Sequence, residues 1–213
     1  MDSETRPHTL RRSVGKYASF AELARNEAHG LDYRVRTIER PGSAVLIAAP
    51  HGGLIEAGTS EIAELIAGRD HSLFLFEGLK PHGANRQLHI TSHQFDHPEF
   101  LALAARCETV IGIHGCLGQT RIHVGGLDAE LGAILATHLA EAAFSVEARS
   151  TRYPGLHPLN ICNRGSSGRG GQLEITHDLR CGDSPQDATR AAIARAVRSA
   201  IAARLAHMRL DTP

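Results

Sequence analysis

The chain has 213 residues in which Lys+Arg and Asp+Glu both total 23, so no net field draws it to nucleic acid or to an anionic membrane. Hydrophobic residues at 42% and charged residues at 22% exclude a disordered chain or a coiled coil, and the length suits one compact domain with a substantial core. With 4% aromatic residues and no tryptophan, that core must be built mainly from Leu, Ile, Val and Ala, and the base-stacking platforms of single-strand nucleic-acid binders are not expected.

No run approaches the ~20 apolar residues of a membrane span, and MDSETRPHTLRRSVGKYASF does not resemble a signal peptide. The expectation is a soluble, cytoplasmic protein that makes no membrane contact, released by lysis if its gene is phage-encoded. Cys107, Cys116, Cys162 and Cys181 are far apart and form no C-x-x-C pair, so they read as buried thiols and not as a redox motif or a zinc knuckle.

In chain order, residues 1–16 are polar, carry Arg11, Arg12 and Lys16 and show no hydrophobic period, which predicts a loose arm ahead of a single domain over 17–213. Ser19 and Glu22 form an S-x-x-E capping box for a short helix that Gly30 is placed to end. Tyr33 to Glu39 reads as a strand. After the Pro41-Gly42 turn, AVLIAA (Ala44 to Ala49) is a continuous apolar run expected of a strand buried on both faces. Ile62, Leu65 and Ile66 keep helical spacing before Gly68, with Thr59 or Ser60 available as caps. SLFLFEG (Ser72 to Gly78) and QLHIT (Gln87 to Thr91) are the next strand candidates. Asp96, Pro98 and Glu99 start a helix through FLALAARC, and TVIGIH (Thr109 to His114) is another buried strand. RIHV, a helix from Asp128 to about Glu141, and FSVEA follow. A Gly, Pro, Ser and Arg-rich loop from Arg149 to Gly171 resolves into the strand QLEIT (Gln172 to Thr176), and Ser184-Pro185 opens a last helix reaching about His207.

Strands alternating with helices predict an α/β domain with a mixed, mostly parallel sheet flanked by helices, whose site lies beyond the carboxyl ends of the strands. His51 follows one such strand, His114 ends another, and Glu174 lies in a third. A catalytic zinc needs three His or carboxylate ligands and one open position. His51 and Glu56 share one loop in which Gly52 and Gly53 let the backbone fold back, and His114, followed at once by Gly115, is the best third candidate. Most of the fourteen histidines must be ordinary, and His82, His89, His93, His97 and His123 are dense without forming an H-E-x-x-H helix.

Six blocks in order carry a resemblance: PHGGLIEAGTSEIA (Pro50 to Ala63), LFEGLK (Leu75 to Lys80), LHITS (Leu88 to Ser92), IGIHG (Ile111 to Gly115), NICNRG (Asn160 to Gly165) and GQLEIT (Gly171 to Thr176). From about Tyr17 to Arg180 the chain resembles the poly-γ-glutamate hydrolase family, some members of which come from phages and which is similar to zinc carboxypeptidases in fold and site. That resemblance implies one zinc ion per chain held by His51, Glu56 and His114, with Glu174 as the catalytic base that moves a proton from metal-activated water to the leaving amine. It implies a polyanionic γ-glutamyl polymer or peptide as substrate. The His-to-Glu gap is longer and more Gly-rich than the H-x-x-E spacing of true carboxypeptidases, so nothing else is carried over from them.

The loop from Arg149 through Leu173 holds Arg149, Arg152, Arg164 and Arg169 and no Asp or Glu, which suits a substrate with a carboxylate on every unit. Arg164 and Arg86, with Arg169, are the candidate substrate contacts, and a solvated loop is the bland alternative. GSSGRGG (Gly165 to Gly171) lacks the G-K-[ST] ending of a phosphate loop and precedes a strand. Two rival readings remain: a zinc amidohydrolase or deacylase acting on a small N-acyl amino acid, and a non-catalytic binder of carboxylate polymers.

Overall fold

The computed structural model describes residues 15–81, 83–182 and 186–210; most of the expected N-terminal arm and the Ser184-Pro185 helix start fall outside them. In order the chain forms α1 (Phe20–Asn26), β1 (Tyr33–Ile38), β2 (Val45–Gly53), α2 (Thr59–Ala67), β3 (Ser72–Gly78), α3 (Pro98–Ala104), β4 (Thr109–Cys116), β5 (Ile122–Gly125), α4 (Ala129–Glu141), β6 (Val146–Glu147), β7 (Gly171–Thr176), α5 (His177–Cys181) and α6 (Gln186–Leu210). The strands make one seven-stranded sheet in the order β1-β3-β2-β4-β7-β5-β6. β3, β2, β4 and β7 run parallel, β1 pairs antiparallel with β3 at one edge, and β5, with β6 beside it, pairs antiparallel with β7 at the other. The expected α/β domain with a mixed, mostly parallel sheet is therefore what the chain forms.

Both faces of the sheet are covered, which is why its central strands are apolar throughout. Val45, Ile47 and Ala49 of β2 pack against Ile62 and Ile66 of α2, in a core shared with Leu131, Leu135 and Leu139 of α4 and Ile193, Val197 and Ile201 of α6. The alternate residues Leu46 and Ala48 face a second core with Leu23 of α1, Phe100 and Leu103 of α3, Phe74, Phe76 and Phe95. Five of the chain's six phenylalanines thus meet in one cluster, Phe20 from its partly buried margin, with Phe74 edge-on to Phe95 at 5.9 Å and to Phe100 at 5.3 Å. Phe74→Ala is expected to destabilise the domain by about 3–5 kcal/mol, read as a drop in the denaturant midpoint at unchanged slope.

Several local expectations need correction. QLHIT forms no strand: a 3₁₀ turn spans Ala84–Leu88, because β1 already occupies the free edge of β3, and Leu88 and Ile90 instead plug the second core. FSVEA shrinks to the two residues of β6 at the sheet edge. The first helix forms half of the Ser19–Glu22 box: Glu22 N–H donates to Ser19 Oγ at 3.1 Å, but the Glu22 carboxylate accepts from Ala18 N–H at 2.8 Å, and the helix ends at Asn26 with Gly30 turning the chain afterwards. α2 is preceded by Gly58 without a side-chain cap, since Thr59 and Ser60 serve the preceding loop instead. The short α5 carried no periodicity to announce it.

At the β1 edge, Glu77 is almost fully buried and accepts from Arg34 Nε at 2.7 Å and Arg36 Nε at 2.8 Å. Burial opposes its ionisation, yet Arg36 and Arg34 override it and hold the carboxyl at about 2. A folded pKa below the ~4.3 of an unfolded chain means stability present above that value and lost as pH falls toward 2. Acid titration of stability should therefore show a loss between those limits that Glu77→Gln flattens.

Candidate metal centre

The site is built where the parallel strands end. Alternation would place His51 on the same side as Val45, Ile47 and Ala49, under α2. A register shift in β2 between Ala49 and Gly52, relative to β3, turns it to the opposite side. There its ring stacks on His89 at 3.8 Å and its Nε2 lies 2.7 Å from the carbonyl oxygen of Ile90. After the bulge, Gly53 adopts a φ of 62° with an ideal Cβ position only 2.5 Å from Gly78 O, so no side chain fits. Glu56 N–H then donates to His51 O at 2.8 Å, and this closed loop carries the Glu56 carboxylate back toward the His51 ring.

β4 supplies the next group. Ile111 and Ile113 face the helical core, so His114 projects to the same side as the reoriented His51. Its Nδ1 stands 3.2 Å from His51 Nδ1; Glu56 Oε1 lies 3.2 Å from His51 Nδ1, and Glu56 Oε2 lies 3.9 Å from His114 Nδ1. One ligand atom from each of the three fits within a mutual distance of 4.8 Å. Two nitrogens or oxygens bound tetrahedrally at 2.0–2.1 Å stand ~3.3 Å apart, close to two of these separations.

The donor chemistry agrees with that geometry. A carbonyl oxygen can only accept, so His51 Nε2 carries the hydrogen and its Nδ1 lone pair faces His114 Nδ1. Two such nitrogens facing each other need a cation or a proton between them. Without a metal, a proton on either ring can fill that role; on His51 burial opposes it, but the Glu56 carboxylate raises its pKa. Burial would raise the Glu56 carboxyl, and His51 with His89 and His114 reverses this, holding it well below its usual range. Burial and the adjacent His51 push His114 down to about 3, leaving it neutral at pH 7. One anionic and two imidazole donors, one of them anchored through its far nitrogen to a backbone carbonyl, suit zinc.

Glu174 stands on β7 directly across from His114 in register, and His123 on β5 stands across from Glu174. Leu173 and Ile175 point into the helical core, so Glu174 shares the face of His114. Its orientation is set from below. Asn160 Oδ1 accepts from Cys162 N, which leaves Asn160 Nδ2 to donate to Gln172 Oε1 at 2.9 Å, and Gln172 Nε2 in turn donates to Glu174 Oε1 at 3.3 Å. His51, Glu56, His114 and Glu174 all line a single cleft of about 590 Å³.

Residues 17–184 match a family model described as poly-gamma-glutamate hydrolase. The chain belongs to the poly-γ-glutamate hydrolase family. Its relative YoqZ, an SPbeta prophage-derived protein of Bacillus subtilis (strain 168), is 43% identical over 172 residues, which cover 79% of this chain and 61% of YoqZ. The chain therefore spans less than two thirds of that relative's length. Among solved structures, a bacteriophage poly-gamma-glutamate hydrolase superimposes with a TM-score of 0.84 at 29% identity, covering 91% of this chain and 99% of that one. A zinc-free apo form of YndL gives 0.77 at 36% identity, covering 90% and 97%.

In this family member the expected arginines are not part of the cleft wall. Arg86 is exposed in the 3₁₀ turn, Arg164 is half-buried after Asn163, and Arg169 is exposed. The lining instead holds His89, His93, His157, Tyr153, Asn160 and Gln172. His89 had a signal, since burial of Leu88 and Ile90 sends the residue between them the other way. Burial, with Cys116 and Glu174 nearby, pushes the Tyr153 phenol up to about 12, so it remains a neutral hydrogen-bond donor. His123 is held by Glu147 at 3.1 Å and Ser150 at 3.2 Å and packs edge-on to Tyr153 at 5.0 Å, outside the lining. No helix among the described residues is long and apolar enough to cross a membrane.

Proposed function

We propose that this cleft hydrolyses γ-glutamyl amide bonds in a polyanionic γ-glutamyl polymer or peptide, with His51, Glu56 and His114 holding one zinc ion and Glu174 as general base. The observation that carries the proposal is the convergence of those three donors beside a carboxylate on the adjoining strand, in register with His114. When bound, zinc supplies Lewis-acid polarisation of the amide carbonyl and a water of lowered pKa. The Glu174 carboxylate takes the proton of the attacking water and hands it to the departing amine. Tyr153 offers the developing oxyanion a donor that does not ionise at neutral pH. The tethered Gln172 keeps Glu174 aimed.

Arg86, Arg164 and Arg169 fit this reading as contacts for carboxylates of a polymer that runs beyond the cleft. The effect of the exposed Arg86 and Arg169 should be strongest at low salt, because exposed charges are screened within ~10 Å at 0.1 M. Incubation with defined γ-glutamyl oligomers, with products read by mass before and after chelation and zinc restoration, tests the proposal. Cleavage lost on chelation and regained with zinc is expected; binding without cleavage would leave a carboxylate-polymer binder. Gln172→Leu should lower kcat by ~10-fold while leaving zinc content unchanged, as substitutions behind a working side chain do.

A further inference from the structure

Beside the cleft lies a second cavity of about 240 Å³, between the end of β5 and the start of α4. Val124, Leu127, Ala129, Gly132, Pro154 and Leu156 form its walls, and Arg149 also lines it. Pro154 and Leu156 line the cleft as well, so the two spaces share one saddle. The saddle is pinned: Gly126 N–H donates to Pro154 O at 2.9 Å and Asn163 Nδ2 donates to Gly155 O at 2.8 Å. Leu156 remains 56% exposed on its crest, an apolar side chain this site leaves for something else to cover.

The register gives the separation. Gly125, at the cavity, pairs across from Gln172, two residues along β7 from Glu174, or ~7 Å at the rise of a strand. The charge of the cavity is also defined. Asp128 is buried and neutralised by Arg204 at 3.4 Å, and its other oxygen accepts from Leu131 N–H. Arg149 is exposed and, among the described residues, makes no hydrogen bond or ion pair; its φ of 54° is one of two positive values at described non-glycine residues. A bulky cation held in the left-handed region costs energy, and such outliers concentrate where a ligand is met.

We propose that this cavity is a second substrate subsite, which takes the glutamyl unit next to the cleaved bond: its methylene carbons cross Leu156 and fill the apolar pocket while its free carboxylate pairs with Arg149. The inference rests on the γ-glutamyl hydrolase reading and extends it. A γ-linked unit is a short apolar segment carrying one carboxylate, which matches an apolar cavity with a single unpaired cation. A free amino acid in the cleft would leave the cavity and the saddle empty, so the site favours chains over single units.

Two substitutions test this on the full zinc-loaded chain. Arg149→Gly removes the cation and tolerates the positive φ. Gly132→Leu fills the cavity from α4: a Cβ there meets only Val124 Cγ1, at 3.8 Å, and leucine is a better helix former than glycine, so the melting temperature should hold. With γ-linked glutamate oligomers of graded length, kcat/KM of the parent is expected to climb with length. Each variant should raise KM for the longer oligomers by about tenfold with kcat retained, erasing the climb. A parent without a climb, or variants that keep it, overturns the subsite while leaving the hydrolase reading intact. A parent that cleaves no γ-glutamyl oligomer of any length overturns the hydrolase reading, and the subsite with it.

Discussion

Glu174→Gln is expected to reduce hydrolysis by at least the ~10²–10⁴-fold of general acid–base catalysis, with zinc content and oligomer affinity near those of the parent. The substitution preserves the volume of the side chain and an oxygen that can still accept from Gln172 Nε2, so the Asn160–Gln172 chain beneath it survives. It removes the only function that an amide cannot perform, which is taking up a proton. A parallel measurement of oligomer binding to the inactive variant separates catalysis from recognition. Loss of zinc in Glu174→Gln would make Glu174 a ligand. Retained activity would send the proton elsewhere, and His89, which lines the cleft and faces Glu56 at 3.6 Å, would then be the group to test.

The fold was legible where hydrophobic pattern and burial coincide. AVLIAA, SLFLFEG and TVIGIH are central strands because both of their faces are covered, and an uninterrupted apolar run is what such a position requires. QLHIT misled for a related reason: Leu88 and Ile90 alternate as a strand would, and both are buried, but the outer side of β3 is already paired with β1. Periodicity reports which side chains are inside and not what the backbone pairs with. For the site, the Gly-rich loop after β2 and the His at the end of β4 were visible as spacing. Two things were not. The bulge that turns His51 away from α2 depends on how β2 registers against β3, which no local pattern in PHGG specifies. Likewise the alternation in QLEIT puts Glu174 opposite Leu173 and Ile175 but does not say whether that face meets solvent or a cleft. In the arginine-rich loop the charge pattern in one dimension does not say which side chains line the cleft: the folded loop presents Tyr153, His157 and Asn160 to it and keeps Arg164 and Arg169 outside its lining.

Removing any one proposed ligand is expected to abolish the stabilisation that zinc gives the domain. Metal that binds the folded chain and not the unfolded one raises stability by RT ln(1 + [L]/Kd), ~4.1 kcal/mol at a thousandfold excess over Kd, so the melting temperature of the parent should climb with added zinc. In His51→Ala and His114→Ala two donors remain, and affinity should fall by more than the ~10–100-fold that outer-shell substitutions cost. Glu56→Gln is the better change at the third position. The carboxylate accepts from Gly115 N–H at 2.8 Å, and an amide oxygen keeps that bond while removing the charge that balances His51. The zinc-dependent shift should vanish in all three variants and persist in Glu174→Gln, a contrast that overall loss of activity cannot provide. If a ligand variant kept the full shift, that residue would not hold the ion, and a further donor to test is His89, stacked on His51 with its Nδ1 buried and without a hydrogen-bond partner. The absence of any shift in the parent would remove zinc from the reading and leave a buried His51–Glu56 ion pair in its place, since burial on that scale is tolerated only when charge is paired.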